Sequence, residues 1–219
     1  MTEYKLGQSA IIQAELIYAS SEGHVQTLNA LINGFGVDVD TRDMNGRTPL
    51  IWAAKNGHEG AVEVLICDHR AQVDGVDRWG KTAMMYAAAG GFQAAMDALI
   101  SHGAKIECKD VYGKTPLMYA AENGCKNIVR VLISHGADID ARDQNGLTSS
   151  LYACESGCRK TVELLISHHQ DGYAEYYRSR VSNVARYQGH VSCKPKESKP
   201  EKGGEGTIPS DEDSTNQRQ

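Results

Sequence analysis

Residues 113–137 read GKTPLMYAAENGCKNIVRVLISHGA. Thr115 and Pro116 predict the start of a helix, because threonine caps free amides and proline needs no N–H donor at the first helical position. Gly124 predicts the end of this helix, since glycine readily adopts the left-handed backbone conformation. A second helix follows and closes at Gly136, with one apolar stripe formed by Ile128, Val129, Leu132 and Ile133. The stretch therefore predicts two short helices joined by a tight turn.

The same unit recurs along the chain. The helix-starting threonines lie 34, 33 and 33 residues apart, at Thr48, Thr82, Thr115 and Thr148. The helix-ending glycines follow the same period, at Gly23, Gly57, Gly91, Gly124 and Gly157. A fixed period of this length indicates a repeat architecture, in which each unit buries its apolar face against its neighbours.

The repeated motifs resemble those of the ankyrin repeat family over roughly residues 6–170. They are Thr48-Pro49-Leu50, Ala53-Ala54, Gly57-His58 and His135-Gly136-Ala137-Asp138. The resemblance implies an all-α solenoid of helix-turn-helix units, with β-hairpin fingers projecting from one side. It also implies a non-catalytic protein–protein interaction module that acts as an adaptor, scaffold or inhibitor.

The predicted organisation has four parts. Residues 1–36 form an atypical N-terminal capping repeat whose first helix begins near Leu16, or earlier in a register that starts at Ser9. Residues 37–170 hold four further repeats. Residues 171–192 form a C-terminal capping segment or short helix, with a basic docking helix as the alternative. Residues 193–219 are rich in Lys, Pro, Glu, Gly and Ser, a composition that predicts a disordered tail.

Charge and composition narrow the class of partner. The formal net charge is −5, and residues 1–170 hold 15 Lys and Arg against 20 Asp and Glu. This balance argues against DNA binding by the repeats, because phosphate contacts dominate nucleic-acid affinity. No apolar run approaches the length of a membrane helix. The six cysteines show no disulfide framework, so we expect a reducing compartment, the cytosol or the nucleus. We further expect a monomer whose partner is another protein.

One stretch matches a phosphate-binding pattern. Gly75–Thr82 fits G-x4-G-K-[ST], which makes a nucleotide-binding enzyme an alternative. That pattern binds phosphate only between a buried strand and a helix, and the residues before Gly75 are not an apolar strand. Gly46-Arg47-Thr48 also occupies the same register in the previous repeat, so the match follows from the repeat itself.

A zinc-binding regulatory module is a further alternative. Cys154 and Cys158 lie four residues apart and could meet His168. Histidines 102, 135 and 168 recur at the ends of the second helices, where a favourable helix dipole explains them. No Ser-His-Asp or Cys-His arrangement indicates a catalytic site. We therefore expect no enzyme activity, no cofactor and no metal.

A ladder of aromatic residues precedes the small residues of each first helix. Two interpretations fit it: stacking between repeats with the polar ring ends partly in water, or a contact strip for a partner. The ladder comprises Tyr18, Trp52, Tyr86, Tyr119 and Tyr152.

The candidate partner-binding residues are those that vary between repeats at the fingers and at the ends of the first helices. Trp79 and Tyr112 are large aromatic residues on adjacent fingers, a residue type that often anchors interfaces. Arg47, Lys81 and Lys114 form a basic row beside them. The full set is Met44, Asn45, Arg47, Lys55, Arg78, Trp79, Lys81, Val111, Tyr112, Lys114, Glu122, Asn123, Gln144 and Asn145.

Overall fold

A computed structural model describes residues 2–168 and 176–179 of the chain. Within these residues the fold is all-α, as predicted, and holds no β-strand. The helices follow one another in five pairs. They are α1 (Thr2–Glu22) and α2 (Val25–Phe35), α3 (Pro49–Asn56) and α4 (Glu59–Cys67), α5 (Ala83–Gly90) and α6 (Gln93–Ser101), α7 (Pro116–Glu122) and α8 (Lys126–Ser134), and α9 (Ser149–Glu155) and α10 (Arg159–Ile166).

The first helices of the second, third and fourth pairs each begin after a capping threonine, as predicted. The hydroxyl of Thr48 accepts the backbone N–H of Ile51 at 3.3 Å, and the hydroxyl of Thr115 accepts that of Met118 at 3.4 Å. Thr82 forms the equivalent bond although its helix begins with Ala83 in place of proline. The threonine cap therefore starts these helices with or without the proline.

The core runs continuously through the stack. First helices pack on first helices, in the order α1, α3, α5, α7 and α9. The small residues of the first helices, including Ala53, Ala87 and Ala120, are completely buried. Larger buried apolar side chains come from both the first and the second helices, among them Leu50 and Leu65. Each pair thus buries its apolar face against its neighbours, as expected of a repeat architecture.

The β-hairpin form of the fingers is not confirmed. We call residues 43–47, 77–81, 110–114 and 143–147 the second to fifth fingers, after the helix pairs that they precede. In the described residues the only β-type pairing is an isolated antiparallel bridge between Val76 and Thr82. Each finger is a tight turn, in which the amide of Asp77 bonds to the carbonyl of Lys81. The amide of Gly80 bonds to the carbonyl of Asp77, and the described residues of the finger form no ladder of paired strands.

The two ends of the array differ from the middle. Helix α1 begins at Thr2, well before Leu16, which favours the earlier register. The predicted capping segment at 171–192 and the predicted disordered tail at 193–219 lie outside the described residues, apart from 176–179. Residues 176–179 are helical. Tyr177 packs against the core, and its carbonyl accepts the thiol of Cys154 at 3.6 Å.

None of the described helices combines the length and the apolar character that a bilayer crossing requires.

Candidate functional site

An aspartate, buried in the third to fifth fingers and half-buried in the second, organises each finger. In the third finger, Oδ1 of Asp77 accepts the backbone N–H groups of Trp79 and Lys81, both at 2.9 Å. Oδ2 of the same carboxylate accepts the hydroxyl of Tyr86, nine residues on, at 2.7 Å. We call this arrangement the Asp–aromatic contact. It recurs in the other fingers as Asp43 with Trp52 at 3.1 Å, Asp110 with Tyr119 at 2.6 Å and Asp143 with Tyr152 at 2.7 Å.

Burial and hydrogen bonding shift the pKa values of several groups in these contacts. Burial raises the pKa of Tyr86 to about 12, and the hydrogen bond to Asp77 adds to the shift. Burial also raises the pKa values of Tyr119 and Tyr152, again with a contribution from the bonded aspartate. Burial alone would raise the pKa of Asp143, but hydrogen bonds from Tyr152 and two amides and the charge of Lys114 lower it. In the fifth finger the phenol donor of Tyr152 and the carboxylate acceptor of Asp143 therefore coexist at neutral pH.

Basic side chains stack on the faces of the same aromatic rings. Nζ of Lys81 lies 4.7 Å from the ring centroid of Tyr119 and 5.8 Å from that of Tyr86. Nζ of Lys114 lies 5.1 Å from Tyr119 and 4.2 Å from Tyr152. These are cation–π distances. We call the resulting alternating row the ladder surface; it comprises Lys55, Trp52, Arg47, Tyr86, Lys81, Tyr119, Lys114 and Tyr152.

Arg47 is held by three rings at once. Its guanidinium carbon lies 5.1 Å from the ring of Trp52, 5.5 Å from that of Trp79 and 5.6 Å from that of Tyr86. Its Nε donates to the hydroxyl of Tyr86 at 3.3 Å. Trp79 is consequently half-buried and packs within the array. The guanidinium of Arg47, in the preceding finger, lies over the Trp79 ring, and contact of Trp79 with a partner stays a prediction.

The other candidate residues divide by exposure. Tyr112 is 55% exposed and Met44 is 87% exposed, so these two tips are open to a partner. Lys114 and Glu122 form an ion pair at 2.9 Å. The exposed candidates are Met44, Arg78, Val111, Tyr112, Glu122, Asn123, Gln144 and Asn145. The half-buried ones are Asn45, Arg47, Lys55, Trp79, Lys81 and Lys114.

Neighbouring fingers are joined by backbone hydrogen bonds at their tips. The amide of Arg78 donates to the carbonyl of Asn45, and the amide of Val111 to that of Trp79, both at 3.0 Å. The amide of Gln144 continues the series by donating to the carbonyl of Tyr112 at 3.0 Å. The exposed tip residues are therefore carried on a fixed backbone.

Glycine is required where one finger approaches the next. Gly80 has φ +73°, and a Cβ there would lie 3.1 Å from the amide nitrogen of Val111. Gly113 has φ +80°, and a Cβ there would lie 3.1 Å from the amide nitrogen of Gln144. Both the positive φ and the close approach disfavour a side chain at these positions.

The phosphate-binding alternative fails on the geometry of the third finger. The amides of Trp79 and Lys81 already donate to the carboxylate of Asp77, and the amide of Gly80 donates to its carbonyl. The amide of Arg78 donates to the second finger. The loop therefore surrounds its own buried anion, and its donors are not available to a phosphate.

The zinc alternative finds no support in the described residues, where no group of three His, Cys, Asp or Glu side chains is arranged to hold a metal ion. Cys154 is completely buried, whereas His168 is exposed and its Nδ1 lies 2.9 Å from the carbonyl of Leu164. Cys158 is disulfide-bonded, which the sequence analysis did not anticipate.

The stacking interpretation of the aromatic ladder had left its polar ring ends partly in water. Four of the five rings instead place their polar ends on finger carboxylates, of which Asp77, Asp110 and Asp143 are buried, so they hold the fingers to the first helices. Tyr18 departs from the row: it is 54% exposed and meets His24 edge-on with ring centroids 6.4 Å apart. The Asp–aromatic contact was missed, although a constant nine-residue spacing of aspartate and aromatic residue could have revealed it.

Comparison with known proteins identifies the repeats. A family model described as ankyrin repeats (3 copies) matches residues 16–110 and 106–176. No curated protein matches the chain.

Proposed function

Because this chain belongs to the ankyrin repeat family, we propose that it is a non-catalytic module that recognises another protein through its fingertips and the ends of its first helices. Ankyrin repeats are generally protein–protein interaction modules. The role is that of an adaptor, scaffold or inhibitor. We place the module in the cytosol or nucleus as a monomer; Cys67, Cys108 and Cys125 are free thiols, whereas Cys158 is disulfide-bonded.

The observation that carries this proposal is the series of backbone hydrogen bonds between the fingers. These bonds hold exposed side chains of differing chemistry in one fixed row: the thioether of Met44, the guanidinium of Arg78, the phenol of Tyr112 and the amide of Gln144. Because the backbone of these residues is already ordered, the chain loses little conformational entropy when it binds a partner. A rigid row of varied side chains is well suited to selective recognition.

The test uses two exposed aromatic residues that lie in different places. Tyr112 lies on the fourth finger, whereas Phe35 ends helix α2 and is 66% exposed. Affinity capture with the full wild-type chain, followed by mass spectrometry, identifies the bound proteins. We expect Tyr112→Ala to reduce recovery of the partner about tenfold, as an aromatic anchor does, while Phe35→Ala retains it. Trp79 is unsuitable, because its truncation removes a ring that packs on Arg47.

Thermal unfolding of both variants serves as the control for folding. If a folded Tyr112→Ala protein recovers the partner as well as the wild type does, and Phe35→Ala loses it, the fingertips are not the recognition surface. The proposed site would then be wrong.

A further inference from the structure

The basic residues of the ladder surface differ in their access to an internal carboxylate. In the fourth helix pair, Lys114 bonds to Glu122 at the end of α7, and only 15% of the lysine side chain is exposed. The repeat places Ala89 at the matching position of the third pair and Lys55 at that of the second pair. The carboxylate that neutralises Lys114 is thus replaced in both of the preceding pairs.

Arg47 and Lys81 consequently take part in no ion pair with any described residue. Aromatic rings position both side chains: the nearest ring centroid lies 5.1 Å from the guanidinium carbon of Arg47 and 4.7 Å from Nζ of Lys81. A ring attracts a cation but does not neutralise its charge. Asp77, whose carboxylate accepts the hydroxyl of Tyr86, is buried and also accepts two amides. Two positioned cations therefore face the surface side by side.

We propose that Arg47 and Lys81 bind an acidic segment of the partner protein, in polyproline II conformation, with carboxylates three residues apart. This inference rests on the proposed function and names the chemistry of the partner.

The spacing of the repeats favours this conformation. Packed helices lie about 8–10 Å apart, which sets the distance between equivalent positions of adjacent repeats. A polyproline II helix has three residues per turn and rises about 3.1 Å per residue, so every third side chain returns to the same face after about 9 Å. In a β-strand the same face recurs after about 6.6 Å, which does not match the repeats. Aromatic rings beside the cations suit a proline-rich backbone.

The probe is a fluorescein-labelled peptide of four Glu-Pro-Pro triplets, and binding to the full chain is followed by fluorescence anisotropy at low salt. One control peptide carries Gln in place of Glu. A second has the same composition with its four Glu residues adjacent. We expect the triplet peptide to bind at least fivefold more tightly than either control. Its affinity falls as salt is added, because the contacts are ionic.

Variants of the full chain then locate the site. We expect Arg47→Gln and Lys81→Gln each to weaken binding of the triplet peptide about three- to fivefold, and the double variant about tenfold or more. Arg130→Gln makes the same charge change on the exposed side of α8 and should leave the affinity within twofold. Unfolding curves of the variants, with Lys81→Arg as the charge-preserving rescue, separate loss of a contact from loss of fold.

Four results would overturn the inference. Equal binding of the two glutamate peptides would show that the three-residue spacing is irrelevant, and an equal loss in Arg130→Gln would show a diffuse charge effect. Tighter peptide binding after Asp211, Glu212 and Asp213 are changed to amides would show that the chain's own C-terminal segment occupies the site. If the peptide fails to bind while Tyr112→Ala still loses the captured partner, the acidic segment is wrong and the proposed function stands.

Discussion

The fourth and fifth helix pairs share one plan but start their first helices differently. In the fourth, the hydroxyl of Thr115 accepts the amide of Met118 at 3.4 Å, and Pro116 follows it. In the fifth, the hydroxyl of Thr148 is buried without any hydrogen-bond partner, and Ser149 stands in place of the proline. Both helices are nevertheless seven residues long. Loss of the cap therefore does not shorten the helix.

The feature that both pairs retain explains why. Tyr152 bonds to Asp143 at 2.7 Å, as Tyr119 bonds to Asp110 at 2.6 Å, and each aspartate also holds two amides of its own finger. The comparison teaches that the Asp–aromatic contact sets the finger against the helix, whereas the threonine cap adds stability to it. Each prediction below changes matched residues of the two pairs.

The largest effect is expected when the aspartate is removed. Asp110→Ala leaves two amides and the hydroxyl of Tyr119 without their acceptor, so we expect a loss of about 3 kcal/mol or more in the free energy of unfolding. Asp143→Ala should lose about 2 kcal/mol, because the fourth finger bonds to neighbours on both sides and the fifth is bonded to the fourth. Urea unfolding measures both. Losses below about 1 kcal/mol would show that the contact is incidental.

The next effect concerns the glycine at the finger turn. Gly113 and Gly146 have similar positive φ angles, +80° and +76°, so alanine is strained at both by about 1 kcal/mol. Only at Gly113 would a Cβ also lie 3.1 Å from the amide nitrogen of Gln144; at Gly146 nothing lies within 4 Å. We expect Gly113→Ala to lose about 2–3 kcal/mol and Gly146→Ala about 1 kcal/mol. Equal losses would contradict a close contact between fingers.

A smaller effect, of opposite sign in the two pairs, is expected from replacing the capping threonine with isosteric valine. Thr115→Val removes a helix cap and should destabilise the protein by about 1 kcal/mol. Thr148→Val removes a buried hydroxyl that has no partner, so it should stabilise the protein by about 0.5–1 kcal/mol. Thermal unfolding midpoints compare the two directly. Destabilisation by Thr148→Val would mean that its hydroxyl is hydrogen-bonded in solution.

The smallest of the four effects is expected from alkaline pH, and it should be alike in the two pairs. The folded protein holds the pKa values of Tyr119 and Tyr152 above the ordinary value of 10.0. The neutral phenols therefore contribute stability that is fully present below pH 10 and is lost as pH rises above it. Tyr119→Phe and Tyr152→Phe should each reduce the loss of stability measured between pH 9 and pH 11. An unchanged loss in both variants would exclude these phenols as its source.

Much of the fold was predictable because the residues that define the repeat each determine the backbone conformation in their immediate neighbourhood. Threonine caps, helix-ending glycines and apolar stripes each specify their own turn of backbone, which gave the helix pairs and the all-α class. The form of the fingers was not predictable in this way. An Asn-Gly or Trp-Gly turn also suits a hairpin, and nothing in such a pair of residues shows that the carboxylate of Asp43 or Asp77 accepts amides of the turn.

The candidate site could be predicted only in part from the sequence, for a related reason. Exposure of Tyr112 depends on its own finger, and the sequence analysis placed it at the tip. Burial of Trp79 depends on Arg47, which belongs to the preceding repeat 32 residues away. Contacts between repeats are not visible in the pattern of a single repeat. Their signal lies in comparing equivalent positions, as the constant spacing of Asp110 and Tyr119 illustrates.

The central claim is that a fixed backbone presents the fingertips to a partner, and amide hydrogen exchange tests it most directly. NMR-detected exchange of the amides of Arg78, Val111 and Gln144 reports on the three bonds between fingers. We expect Arg78 and Val111 to be protected to a degree comparable with amides inside α5 and α7, and Gln144 somewhat less. Exchange of all three amides at the rate of an unstructured chain would contradict the claim.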